Sequence, residues 1–267
     1  MKYALNHMTV PRLGIAGFFD LAKSLGIAAV EIRNDLKGNA ILDGTAPQQV
    51  RSLAADAGVE IVSINALQRF NEWNAARERE AVELAAYARD CGAKALVLVP
   101  VNDGSGRADG VRQENVLKSL RALKPILADH HITGLVEPLG FQICSLRSKR
   151  EAVEAIDAAD GASFFRLVHD TFHHTLAGEP DIFPGRTGLV HISGVSDTAI
   201  GVDQMLDAHR VMVGAEDRIG NIGQIRALNA AGYLGYYSFE PFAAYIHQHS
   251  DPKAMIRESM EYIGRLA

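Results

Sequence analysis

Short apolar runs alternate along this chain with longer stretches in which apolar positions recur every three or four residues, the first patterned as buried strands and the second as amphipathic helices. Tyr3 to Asn6 precedes a helical pattern from about Leu13 to Leu25, closed by Gly26, and Ala28 to Ile32 precedes one from about Pro47 to Ala57, closed by Gly58. Glycine suits those stops because it takes the left-handed turn that ends a helix. Glu60 to Asn65 is followed by Glu78 to Cys91 with Gly92, Ala95 to Pro100 by Val111 to His130, and Thr133 to Glu137 by Lys149 to Ala159 with Gly161. Three further strand patterns, Phe164 to Asp170, Gly188 to Ser193 and Tyr236 to Glu240, come with helical patterns near Asn221 to Ala231 and Pro252 to Leu266. The helical pattern after Asp170 is the weakest.

About eight strands alternating with helices, with no change of composition and no Pro- or Ser-rich linker, predict one α/β domain over residues 1–267, a single closed (β/α)8 TIM barrel. An open doubly wound sheet is the alternative. It calls for a Gly-rich phosphate loop after the first strand, where Asn6-His7-Met8-Thr9-Val10-Pro11 has no glycine.

Composition narrows the function. With 267 residues and 48 % hydrophobic content the chain can bury a large core. Lys and Arg total 27 against 32 Asp and Glu, a net charge of −5, so no basic field awaits a nucleic-acid backbone. Cys91 and Cys144 fit neither a disulfide framework nor a thiolate metal site, which predicts a reducing compartment, the cytoplasm. The first residues turn polar too soon for a signal peptide, and no apolar run is long enough to span a bilayer. A small molecule is the expected partner, with no nucleic acid and no membrane, and homo-oligomerisation stays open.

Four side chains carry the chemistry. Glu137, Asp170, His191 and Glu240 each end a strand-like run, and in a parallel barrel the C-terminal strand ends share one face, where active sites gather. Three carboxylates and an imidazole suit Mn²⁺, Mg²⁺, Co²⁺, Fe²⁺ or Zn²⁺. Any one of them alone reads as a helix cap, an ion pair to Arg or a satisfied core histidine; four at successive strand ends favour a shared site.

The segments Glu137-Pro-Leu-Gly-Phe-Gln-Ile-Cys-Ser145, His169-Asp170-Thr-Phe-His173-His174, Val190-His191-Ile-Ser193 and Phe239-Glu240-Pro-Phe242 resemble the sugar isomerase and epimerase family of xylose-isomerase-like barrels. More narrowly, the chain is similar to the inosose (2-keto-myo-inositol) isomerases. The likeness extends to Asn6, Val30-Glu-Ile-Arg33, Ile64-Asn-Ala-Leu67, Phe70-Asn71 and Val99-Pro-Val101, nearly the whole chain. It implies one divalent metal ion held by Glu137, Asp170, His191 and Glu240 and a proton shift beside a carbonyl without any organic cofactor. A metal chelating the ketone oxygen and the neighbouring hydroxyl stabilises the enediolate left when the α-proton departs. Glu137 and Glu240 are the expected acid/base pair on a keto-polyol or keto-sugar, in an order the sequence leaves open.

Around them, His173 reads either as a donor to a substrate oxygen or as a histidine that supports the site or lies on the surface in a turn with His174, and Arg210 as a partner of a hydroxyl or of a metal-binding Glu. After Arg210, Val213 replaces a proline of the relatives and Ala215-Glu-Asp-Arg218 departs from their Gly-rich continuation. Glu31 and Arg33, two apart on a strand, point the same way; an ion pair inside the barrel is preferred to substrate contact. Asn6, Asn65 and Gln68 are neutral groups suited to a polyol. Phe70 and Trp73 read as pocket walls or as loop packing. Arg147, Lys149 and Arg150 fit a helix start facing water better than a phosphate site, so an unphosphorylated substrate is expected. A dehydratase of the inosose or dehydroshikimate type would use the same ligands. An endonuclease of abasic DNA would want further His ligands where Asn65, Gln68 and Asn102 stand, and a silent sugar-binding barrel would be expected to lose one of the two Glu.

Overall fold

The computed structural model describes residues Met1–Ala267. Its strands are β1 (Lys2–Asn6), β2 (Ala29–Arg33), β3 (Glu60–Gln68), β4 (Ala95–Val99), β5 (Thr133–Val136), β6 (Phe165–Asp170), β7 (Thr187–Ile192) and β8 (Tyr236–Phe239). All pair in parallel in chain order, and β8 pairs with β1 to close the barrel. The helices are α1 (Ile15–Ser24), α2 (Pro47–Ala57), α3 (Ala75–Cys91), α4 (Val111–His130), α5 (Lys149–Ala158), α6 (Thr171–Ala177), α7 (Asn221–Ala230), α8 (Ala244–His247) and α9 (Pro252–Leu266). The expected closed (β/α)8 barrel is the fold, and no helix is long and apolar enough to cross a membrane.

Local chemistry sets the boundaries. Pro47 and Pro252 occupy first helical turns, where a missing N–H costs nothing, and the helices after them begin there. Gly58 and Gly92 close α2 and α3 at φ 71° and 84°, conformations an L side chain resists. The seven-residue α6 is too short for periodicity to announce it. It forms because the Asp170 carboxylate caps it, accepting from the backbone N–H of Phe172 at 2.8 Å and His173 at 3.0 Å.

Two kinds of core result. Between barrel and helices lies a continuous apolar layer that includes Leu5, Phe18, Phe19, Ile64, Leu96, Leu120, Phe165 and Ile256. Inside the barrel the filling is divided. Ala95, Val97, Leu135, Val168 and Leu189, from β4 to β7, make an apolar cluster, whereas β1, β2, β3 and β8 contribute buried Asn6, Glu31, Ser63 and Ser238. Side chains two apart on a strand share a face. Leu135, Val168, Leu189 and Ser238 therefore stand one layer below Glu137, Asp170, His191 and Glu240.

Candidate metal centre

The four strand-end residues meet. Glu137, Asp170, His191 and Glu240 each offer one ligand atom, all within 4.8 Å of one another, and all four side chains are buried. On His191 the convergent atom is Nδ1, which lies 2.8 Å from Glu137 and 3.2 Å from Glu240, with Asp170 at 3.8 Å.

The other imidazole nitrogen, Nε2, lies 3.2 Å from the fully buried Glu31. An N–H donated from Nε2 to that carboxylate leaves the Nδ1 lone pair free to face a cation. Glu31 is held in turn by hydroxyls of Ser63 and Ser238 and by the Asn6 amide. Strand register explains the convergence: Glu31 is directly opposite Asn6 on β1 and Ser63 on β3, and His191 is opposite Ser238 on β8.

Two guanidiniums brace the carboxylates. Arg210, 1 % exposed, donates from Nη2 to Asp170 at 2.6 Å and to Glu240 at 3.1 Å, and its Nε donates to Ser193. Arg33 donates to Glu240 at 2.9 Å and to both oxygens of Asp35. Glu240 also accepts from Asn6 and Asn65, whereas His191 is the one hydrogen-bond partner of the Glu137 carboxylate.

Charge supplies the test of fit. Four buried carboxylates (Glu31, Glu137, Asp170, Glu240) face two buried guanidiniums (Arg33, Arg210), which leaves two negative charges uncompensated when His191 is neutral. Asp35 and Asp207 are further out, with side chains 41 % and 45 % exposed. A buried deficit of two charges among oxygen and nitrogen donors fits a divalent cation.

The titration behaviour follows from the same crowding. Burial by itself lowers the His191 pKa, but the carboxylates of Glu240, Glu31 and Glu137 raise it well above the ordinary range. Burial raises Glu137, and His191 opposes it only in part. In Glu240 burial acts the same way but is outweighed by His191, Arg210 and Arg33, so that carboxyl is lowered. Without a cation, the same carboxylates favour a proton on His191.

Above the cluster is a polar cavity of about 240 Å³ lined by Arg33, Asp35, Asn65, Gln68, Glu137, His173, Arg210 and Glu240, with Phe141 and Phe242 among its apolar walls. Of the residues the sequence suggests for substrate, Arg33, Asn65, Gln68, His173 and Arg210 line this cavity. Asn6 and Glu31 do not: both are wholly buried and tied to the carboxylates and to His191, so neither is placed to touch a substrate. The expected Glu31–Arg33 ion pair is absent as well. Arg33 turns to Asp35 and Glu240, because Glu31 already has His191 and two hydroxyls.

Phe70 is buried in the core and Trp73 packs on it; neither lines the cavity. The water-facing helix start is corrected for two of three cations. Lys149 is 4 % exposed against His174 and Glu179, its pKa lowered by burial to about 8, and Arg147 donates to the carbonyls of Gly140 and Leu176. Arg150 remains outside, paired with Asp181. Asp35 and Asp207 are cavity residues that the sequence did not single out, and Asn102, Phe141 and Phe242 are ones to which it gave no part in a pocket. Each is on a loop beyond a strand end, where no periodicity marks it.

Gly140 shows how tightly one wall is set. A Cβ there would sit 2.4 Å from the backbone oxygen of His173 and 2.5 Å from Cβ of Leu176. Gly140→Ala is therefore expected to push α6 away and cost about 1–3 kcal/mol, while Gly264→Ala, with open space around it on α9, should not destabilise. Chemical denaturation of both variants checks this; equal midpoints would remove the close-packing role from Gly140.

Known proteins bear on the fold and the site together. A crystal structure of a xylose isomerase domain-containing protein from Salmonella typhimurium LT2 is 36 % identical over 99 % of this chain and 97 % of its own, with a TM-score of 0.90. The IOLI protein, solved with a binding zinc atom, superposes at TM-score 0.89 with 18 % identity over 100 % of this chain and 99 % of its own. An L-ribulose 3-epimerase superposes at 0.77 with 18 % identity over 99 % and 94 %; at such identity the likeness is one of fold. No curated protein sequence matches significantly. The family model described as xylose isomerase-like TIM barrel matches residues 19–266, almost the full length and every strand end described above except that of β1, and to that family this chain belongs.

Proposed function

We propose that the protein is a metal-dependent isomerase or epimerase of an uncharged keto-polyol, with 2-keto-myo-inositol (inosose) the substrate favoured by the sequence resemblance. The observation that carries this reading is a pair of carboxylates, Glu137 and Glu240, both at the floor of a polar cavity and both converging on Nδ1 of His191 where two positive charges are missing. Glu137, Asp170, His191 and Glu240 would hold the ion. When bound there, a divalent ion supplies the Lewis acid that polarises a carbonyl and its neighbouring hydroxyl.

The remaining work falls to the chain. Glu137 and Glu240 both border the space a substrate would occupy, so one is placed to take a proton from carbon and the other to return one. Neither cavity guanidinium is free for a phosphate, since Arg33 is spent on Asp35 and Glu240 and Arg210 on Asp170, Glu240 and Asp207. Asn65, Gln68 and His173 are left as neutral partners for hydroxyls, and Phe141 and Phe242 as surfaces for C–H faces. The zinc of the IOLI protein supports a divalent ion, and the likeness to an epimerase supports the reaction class.

The test is incubation of the Mn²⁺-loaded protein with 2-keto-myo-inositol in D₂O, following the ring protons by NMR. The expected result is deuterium at the α-carbon together with a new isomer. Loss of water to an enone would replace isomerase by dehydratase. No exchange, or faster turnover of a ketose phosphate, would overturn the reading.

A further inference from the structure

Beside the polar cavity is a larger one, about 430 Å³, seven of whose twelve lining residues are hydrophobic. Phe141 and Ile143 come to it from the β5–α5 loop, Leu176 from α6, and Val202, Met205 and Leu206 from the long β7–α7 loop. Asn102, Phe141 and Asp207 line both cavities, which therefore adjoin at the C-terminal mouth of the barrel. Phe141 is fixed at that boundary, its ring edge-on to His173 at 5.0 Å and to Phe172 at 6.0 Å.

This wall is open to water. Ile143 is 49 % exposed, Val202 45 % and Leu206 57 %. Large apolar side chains gathered at the mouth of a polar active site mark a place where something apolar binds. A bare polyol makes no use of them, because a hydroxyl set against Ile143 or Leu206 gives up water hydrogen bonds without replacement. No Lys or Arg lines this cavity, while Asp203 and Asp207 do, which disfavours an anion.

Resting on the reaction proposed above, we infer that the substrate has two parts: a keto-polyol ring in the polar cavity, and on one of its hydroxyl oxygens an uncharged apolar substituent, an aryl or medium-length alkyl ether, in the second cavity. Ile143, Val202 and Leu206 are then specificity-determining residues that touch only the substituent. Glu137 and Glu240 act on the ring and are unaffected by it.

The test keeps the substituent apart from the reaction. Mono-O-phenyl and mono-O-methyl ethers of myo-inositol have no ketone and cannot turn over, so their binding to the Mn²⁺-loaded protein, measured by isothermal titration calorimetry, reports the second cavity alone. At least one phenyl ether is expected to bind about tenfold more tightly than its methyl counterpart, the order that burying a few carbons gives. Leu206→Asp and Ile143→Asp should each erase that gain and leave the methyl ether within about twofold of wild type. Equal affinities for phenyl and methyl ethers in the wild type, or a gain that survives both substitutions, would overturn the inference. So would self-association that Leu206→Asp abolishes while the ethers bind alike, since the patch would then face a second copy of the chain. Absence of α-proton exchange with every ketone would refute the reaction and leave this binding difference to be judged by itself.

Discussion

Glu137→Gln is expected to keep the ion and lose roughly 10²- to 10⁴-fold in turnover, the usual contribution of a positioned general acid or base. Gln preserves the size and one oxygen donor and removes only the proton-accepting charge. Glu240→Gln should lose activity on a similar scale, but the two variants should not behave alike. The Glu137 carboxylate has His191 as its one hydrogen-bond partner, whereas that of Glu240 accepts from Asn6, Asn65, Arg33 and Arg210. Removing the Glu240 charge weakens its contacts to Arg33 and Arg210, which keep Asp35 and Asp170, and turns an amide N–H towards buried donors, at an expected cost of about 1–3 kcal/mol of folding stability. Glu137→Gln relieves a crowded negative site and should cost little. Denaturation midpoints, elemental analysis and α-proton exchange in D₂O separate these effects. Activity within a few-fold of wild type in either metal-loaded variant would reduce that residue from proton carrier to ligand.

That asymmetry was not legible in the sequence, although the two glutamates were. Strand-end acids stand out because a charge at the end of a buried apolar run has few innocent uses, and the barrel rule brings such ends to one face. Which donors reach each acid depends on pairing between strands far apart in sequence. Glu31 and Arg33 do share a face of β2, yet the register that puts Ser63 and Asn6 opposite Glu31 also sends Arg33 across to Glu240. The burial of Lys149 is not legible in the sequence for a related reason. Its burial is made by α6 and the loop carrying Glu179, and α6 owes its start to Asp170 rather than to any periodic pattern. The helix ends at Pro47, Gly58, Gly92 and Pro252 are legible because these start and stop signals are local. The cavity walls Phe141, Asp207 and Phe242 are on loops, where neither period nor cap speaks for a residue.

Chelation of the ion is expected to abolish turnover and to lower the melting temperature of the protein by roughly 10 °C. An ion present at 1,000 times its dissociation constant contributes about 4 kcal/mol, and a chain of this length loses about 2–4 °C per kcal/mol. His191→Ala should abolish uptake, and so should Asp170→Asn, a change that keeps an oxygen for the α6 cap while removing the charge. In both variants the melting temperature should no longer respond to chelator. Full occupancy in both by elemental analysis would refute the ligand assignment. The pH dependence carries the mechanism further. In the ion-free protein the surrounding carboxylates raise the His191 pKa well above its ordinary range and so favour a proton on the imidazole, while an ion needs Nδ1 bare. Proton and ion then compete for one site. Apparent affinity should fall about tenfold for each unit that pH drops below the ion-free pKa, provided one proton leaves per ion bound. Ion titrations at several pH values measure that slope directly. A flat profile through the acidic side of neutrality would mean that His191 gives up no proton on binding, and would refute the competition of proton and ion for Nδ1.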